Sequence, residues 1–227
     1  MITVETIRER HSVREYDGKP LDQAEFDALG AVVEEGARES GLDIQLVGDN
    51  PEVFNVIARF GLIRGCRTHV AFVVDDAKAA DEAIGYWGQK TVLAAQDMGL
   101  NTCWCALCSR KKSRAVVAPG KKIRLIIAVG HGKTQGFSRK TKSVEALSSV
   151  ECAKAPAWFA AAMEAAQLAP TAMNNQNFKI TLLSDGKTVR IDAPQSGLNV
   201  IDEGIVRCNF EIAANEAGAD WRWERDI

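Results

Sequence analysis

No stretch of this 227-residue chain approaches the run of about 18 apolar residues that a membrane-crossing helix needs. Its opening, MITVETIRERHSVREY, is charged from the outset and lacks the apolar core of a secretory signal, so the protein is expected to stay in the cytoplasm. An excess of either charge is also missing. With 28 basic and 30 acidic residues the formal net charge is −2, and no nucleic-acid partner is expected, since that would favour a basic surplus. No Gly-x-Gly-x-x-Gly follows a predicted strand, so a Rossmann dinucleotide site is unsupported. Neither a Ser/His/Asp set nor paired carboxylates nor zinc-ligand spacing is present. The six cysteines are too few and too scattered for a disulfide framework, which belongs to small secreted domains. Three of them, Cys103, Cys105 and Cys108, lie in CWCALC, where thiolates could in principle bind zinc or an iron–sulfur cluster. A closed metal site needs about four ligands, and Cys66, Cys152 and Cys208 stand singly. The expectation is therefore small apolar side chains at a buried strand end, without metal.

What is present is an alternation of helical and strand patterns, with 46% hydrophobic residues to build a core. Apolar spacing predicts helices over 3–10, 21–38, 83–99, 155–170 and 202–218, with Asp22 as a cap for the second and Gly99 ending the third. β-Branched runs predict strands over 43–49 and 69–76, and a continuous apolar run predicts a buried central strand over 123–131. Segments 178–185 and 188–194 read as a hairpin turning at Asp185-Gly186.

The pattern restarts in the second part of the chain. AAQDMGLNTCW (94–104) lies over AANEAGADWRW (213–223) without a gap, and Gly85 and Gly204 share that offset. Upstream, the stretch from Phe26 lies over the stretch from Phe159, and the extra residues of the second copy fall in APTAMNNQ. Two similar alanine-rich helices could match by chance. The shared Trp104 and Trp223 favour a duplication, and internal self-similarity is a structural signal in its own right.

Three segments carry candidate chemistry. RERHSVREY (8–16) places Arg10, Ser12 and Arg14 in alternation around His11, a donor set suited to phosphate oxygens. SRKTKS follows the central strand, and APTAMNNQNF (169–178) is a loop of small and amide residues after a helix. Each alone is an ordinary charged run or loop. Their order and type together resemble the nitroreductase family of FMN-dependent oxidoreductases over nearly the whole chain. RHSVREY is similar to the family's N-terminal phosphate-binding motif, GLNTCWCAL (99–107) to its segment beside the flavin ring, AVGHGKTQGFSRKTKS to its strand, loop and basic tail, and APTAMNNQNF to its flavin loop. Most of the family carries that loop in the first half. Here the first-half counterpart, EEGARESGLD, lacks the signature. The layout resembles a branch in which one chain holds two half-size repeats and imitates the usual dimer.

The resemblance implies an α+β fold of two duplicated halves, 1–150 and 151–227, in a monomer with one FMN per chain. It implies that Arg10, Ser12 and Arg14 hold the phosphate and ribityl end, with His11 assisting and Lys140 or Lys142 adding positive charge. Pro170, Thr171, Ala172 and Asn174 would contact the flavin from the second half. The backbone of Cys105, Ala106 and Leu107 would face N5 and O4 of the ring, and Arg64 or Arg67 would approach its N1–O2 edge. Leu107, Asn177 and Thr141-Lys142-Ser143 depart from the family's usual residues. The implied activity is transfer of hydride equivalents from NAD(P)H through FMN to a nitro, quinone or similar small acceptor. The alternative is a non-enzymatic FMN-binding or redox-sensing protein.

Overall fold

The fold was read from a computed structural model, which describes residues 2–54, 63–75 and 80–225. By packing, the chain forms two compact units, neither of them a continuous segment. One comprises residues 1–9, 81–89 and 139–227, and the other residues 10–80 and 90–138. This is a division by packing. The boundary expected at 150/151 was drawn along the sequence, on the restart of its pattern.

The second of these units is built on a four-stranded antiparallel sheet. Its strands are β1 (Asp43–Val47), β2 (Thr68–Val74), β3 (Asn101–Cys105) and β4 (Lys122–Gly130), in the order β1-β2-β4-β3. The two central strands are the apolar ones, as a strand covered on both faces must be. β2 is buried at every position, and β4 from Leu125 to Gly130. Register is fixed by pairs such as Ala71↔Ile126 and Trp104↔Ile127, with a bulge between Phe72 and Val73. Phe72 and Trp104 stack at 6.3 Å. Cys66, Cys103 and Cys105 belong to the core cluster with Val13, Tyr16 and Ile126. They are small apolar side chains here, and burial pushes the Cys66 thiol up to about 12. Helix α2 (Gln23–Ser40) packs on β1. The predicted cap at Asp22 is a full capping box: the Asp22 carboxylate accepts from Glu25 N at 2.8 Å, and Glu25 accepts from Asp22 N at 2.9 Å. Together the two bonds satisfy donors that a helix start otherwise leaves open.

The other unit is mainly helical. It contains α1 (Val4–Glu9), the first part of α3 (Asp81–Asp97), α4 (Val144–Leu147), α5 (Ala157–Gln167) and α6 (Asn199–Glu216). A small sheet of β5 (Lys179–Leu182), β6 (Thr188–Asp192) and β7 (Arg222–Trp223) completes it. The hairpin turns where the sequence places it: Gly186 has φ 70, and Asp185 accepts from Lys187 N and Thr188 N. α5 ends at Gln167, three residues short of the reading to 170, because the residue before Pro170 is steered away from helix. Trp158, Phe159, Phe210, Trp221 and Trp223 form a continuous aromatic cluster with ring separations of 5.1 to 6.3 Å.

Gly85 of α3 and Gly204 of α6 mark a backbone-to-backbone helix crossing. A Cβ on Gly85 would strike the Ile201 carbonyl and stand 3.0 Å from Ile205 N. A Cβ on Gly204 would strike the Glu82 carbonyl and stand 2.7 Å from Tyr86 N. The contacts are reciprocal, since the offset that carries Gly85 onto Gly204 also carries Glu82 onto Ile201 and Tyr86 onto Ile205. A glycine inside a helix costs about 0.5–1 kcal/mol relative to alanine; here the close approach requires it twice. Around the crossing, buried Arg207 pairs with Glu82 at 3.2 Å and lies 4.5 Å from the Trp223 ring, while Arg225 bridges Glu82 and Glu203.

Candidate functional site

In the sheet-based unit the arginine segment is held by its backbone. Ser12 bridges Thr102 on the open edge of β3, with Val13 N donating to Thr102 O at 2.9 Å. Arg64 N donates to Arg14 O and Tyr16 N to Arg64 O, both at 2.8 Å. Lys133 N reaches Glu15 O at 2.9 Å. Val13 and Tyr16 sink into the core, Arg10 is buried, and His11, Ser12 and Arg14 are half-buried. His11 Nε2 lies 3.2 Å from Ser138 Oγ. Gly136, with φ 81, lets its loop close on this segment: a Cβ there would stand 2.7 Å from His11 Cβ. RHSVREY, the Thr102 end of β3 and the strand-exit loop through Ser138 therefore converge.

Beyond β3 the chain bends through the segment the resemblance sets beside a flavin. Cys105 is buried, Ala106 half-buried and Leu107 62% exposed, so Leu107 presents an apolar side chain to its surroundings. Arg110 Nη2 donates to the Ala106 carbonyl at 2.7 Å. Burial raises the Cys108 thiol, while the Arg110 guanidinium acts in the opposite sense. Sequence reasoning passed over Arg110; only its fold against the Ala106 carbonyl distinguishes it from its basic neighbours. Arg64 faces Glu15 in an exposed pair at 3.4 Å. Arg67 Nε donates to Asp49 at 2.7 Å. Both guanidinium groups are engaged with carboxylates.

In the helical unit the basic tail and the amide loop meet. Gln176 is buried, and its Oε1 accepts from Lys142 N at 2.7 Å. Lys142 Nζ donates to Gln176 O at 2.9 Å, and Gln176 Nε2 donates to Gln167 O at 2.8 Å. Asn174 Nδ2 donates to Lys140 O at 2.8 Å, leaving the Lys140 side chain exposed. Lys142 thus braces the loop, whereas Lys140 keeps its ammonium outward. Pro170, Thr171, Ala172 and Asn174 are half-buried, and Met173 is exposed. Met173, Asn174 and Gln176 have φ of 53, 57 and 47, left-handed values that non-glycine residues rarely adopt. On α6, both carboxylate oxygens of Asp202 accept from Ala172 N, each at 3.0 Å. Burial raises the Asp202 carboxyl to about 6, against the lowering effect of that bond. Asp202 was invisible in the sequence because its partner is a backbone amide thirty residues away.

Among the described residues, no helix is long and apolar enough to cross a membrane. A comparison with the curated proteins finds no match. Among solved structures, a nitroreductase-family protein from Thermotoga maritima superposes with a TM-score of 0.68 at 19% identity, covering 100% of this chain and 90% of its own. A protein of the same description from Desulfovibrio desulfuricans, solved in complex with FMN, gives a TM-score of 0.50 at 19% identity over 65% of this chain and 95% of its own. A protein from Parabacteroides distasonis described as a "Putative NADH dehydrogenase/NAD(P)H nitroreductase" gives 0.50 at 20% identity, over 65% and 95%. These likenesses show the fold. The family model described as "Putative TM nitroreductase" matches residues 2–214, and the chain belongs to that family.

Proposed function

We propose that this protein is an FMN-dependent oxidoreductase that passes hydride equivalents from NAD(P)H to a nitro, quinone or similar small acceptor. The observation that carries the reading is the convergence of the arginine segment with the start of β3, the strand that leads into Cys105–Leu107, through the Ser12–Thr102 bridge. It places guanidinium and hydroxyl donors and the Cys105–Leu107 backbone on one framework. The residues fit the cofactor. Arg10, Ser12 and Arg14 are donors of the kind that hold a phosphate, with bidentate geometry available to the arginines. Gly136 permits the close approach that brings Ser138 to His11. The loop from Thr171 to Asn174 offers small side chains and an amide. FMN, when bound, supplies the two-electron redox chemistry. Arg10, Ser12 and Arg14 would bind its phosphate, and the Cys105–Leu107 backbone and the Thr171–Asn174 loop would orient its ring. Arg110, hydrogen-bonded beside Cys105–Leu107, is a better candidate than Arg64 or Arg67 for a cation near the ring, because both of those face carboxylates. Membership of a nitroreductase family favours an enzyme over a binding-only protein.

The duplicated layout and the single FMN per monomeric chain belong to the same proposal. The reciprocal contacts of Gly85 and Gly204 support it. So do the paired helix ends, where Gly99 after α3 and Gly218 after α6 both take positive φ, at 79 and 65, before Trp104 and Trp223.

Flavin released by heat and identified by chromatography tests the cofactor: FMN at one per chain is expected, and FAD, or no uptake of FMN on refolding, overturns it. Arg10→Ala should weaken FMN binding about tenfold or more in a fluorescence titration, since a bond to a charged group contributes about 1.5–3 kcal/mol. NAD(P)H oxidation with an acceptor panel, at rates well above those of free FMN, separates enzyme from flavin carrier.

A further inference from the structure

The loop from Thr171 to Gln176 is locally costly. Three of the four described non-glycine residues with positive φ lie in it, and each such position costs about 1 kcal/mol or more. Contacts from outside the loop must therefore hold its shape. Gln176 ties its end to Lys142 and Gln167, and Asn174 ties its middle to Lys140 O. At its start stands Asp202, the fourth residue of α6, with both oxygens on Ala172 N.

Asp202 is 8% exposed and has no ion-pair partner among the described residues. Its neighbour Glu203 points elsewhere, to Gln195 and Arg225. The loop packed over it, Thr171 to Asn177, carries no ionisable side chain, and the Lys142 ammonium is bonded to Gln176 O. A buried carboxylate without a cation is expensive. The N-terminal end of α6 offsets part of that cost through its dipole, but stability alone would be served better by a neutral side chain. The carboxylate is the group that accepts most strongly from a backbone amide.

We infer that Asp202 is a positioning residue: it holds Ala172, and through it Asn174, in the conformation the loop presents to ligand. The inference rests on the FMN-site reading above and deepens it. The loop is not stable in this shape by itself, so releasing its first anchor lets Ala172–Asn174 relax toward ordinary backbone angles. Ligand must then reorder the loop at the expense of affinity.

Two measurements test it on Asp202→Asn and Asp202→Ala, with circular dichroism establishing that each variant is folded. The first needs no ligand. Amide hydrogen exchange of the peptide spanning Thr171–Gln176 should be slow in the wild-type protein and accelerate about tenfold or more in Asp202→Ala. Unchanged exchange in that peptide overturns the inference. The second is FMN affinity against pH. Ionised Asp202 favours the bound loop, so wild-type affinity should fall as pH drops through about 6 relative to Asp202→Asn, whose profile lacks that contribution and keeps those of the FMN phosphate and its other surroundings. Superimposable profiles of the two proteins also overturn it. If the wild-type protein binds no FMN at all, the cofactor reading falls, and the exchange experiment still decides whether Asp202 holds the loop. Should Asp202→Ala fail to fold, Asp202→Asn carries both measurements.

Discussion

The arginine segment and the amide loop are held in opposite ways. The arginine segment is fixed by main-chain bonds, to Thr102, Arg64 and Lys133, and by the burial of Val13 and Tyr16. Its backbone follows a path that any residue adopts, so its polar side chains can serve a ligand. The amide loop adopts left-handed angles at three non-glycine positions, and side chains hold it there: Asp202, Gln176, Asn174 and Thr171, whose Oγ1 accepts from Gln176 N at 3.0 Å. A change at Ser12 or Arg14 should therefore be tolerated structurally in the first region, whereas a change of a polar side chain should be felt in the second. The helix crossing is a third case, in which geometry alone decides.

The largest effect is expected at that crossing. Gly204→Ala drives a Cβ into the Glu82 carbonyl; neither helix backbone can give way cheaply, so destabilisation should exceed about 3 kcal/mol. A melt within a few degrees of wild type would show that the helices separate easily and that the reciprocal contact is not obligatory.

Next comes acid. His69 is fully buried on β2, with Nε2 2.8 Å from Ser113 Oγ, and burial lowers its imidazole to about 4. Unfolded, it would titrate near 6.5. Its contribution to stability is thus fully present above pH about 6.5 and is lost as pH falls toward about 4, amounting to about 3 kcal/mol at most. Asp202 has the opposite sign. Its folded value is raised to about 6, so its contribution is fully present below its ordinary 3.8 and is lost as pH rises through about 6. Denaturant titrations from pH 4 to 7 should show a steeper acid loss in the wild-type protein than in His69→Gln. Parallel curves would remove His69 from the account.

The comparison between the two segments is sharpened by Gln176→Ala and Ser12→Ala. Gln176 is buried and serves Lys142 and Gln167, so its loss should cost about 1–3 kcal/mol and raise proteolysis within 171–177. Ser12→Ala leaves the backbone bridge intact and should change stability by less than about 0.5 kcal/mol. Equal costs would erase the distinction. Smallest of all, Arg64→Ala removes an exposed pair with Glu15 and should shift stability by less than about 1 kcal/mol. A large loss of FMN affinity in that variant would return Arg64 to the ring.

The sequence by itself determined the elements whose cause is local. The Asp22 capping box, the Asp185-Gly186 turn, the four longer helices with the short first one, and the apolar central strand follow from nearest neighbours and periodicity. It also pointed to the family, because the three motifs occur together in one chain, and it marked Gly85 and Gly204 by their shared offset, though not as a helix crossing. What it could not determine depends on residues distant in sequence. β7 has two residues and exists only because β6 offers them an edge. Lys142 resembles a phosphate ligand in the sequence, yet in the fold it braces Gln176. Arg64 and Arg67 resemble free cations until Glu15 and Asp49 are beside them. Arg110 and Asp202 gain their roles from single backbone atoms, Ala106 O and Ala172 N. A backbone amide or carbonyl leaves no trace in residue type, so only the tertiary structure, which brings it within bonding distance, could show which charged side chains are engaged by the protein's own backbone.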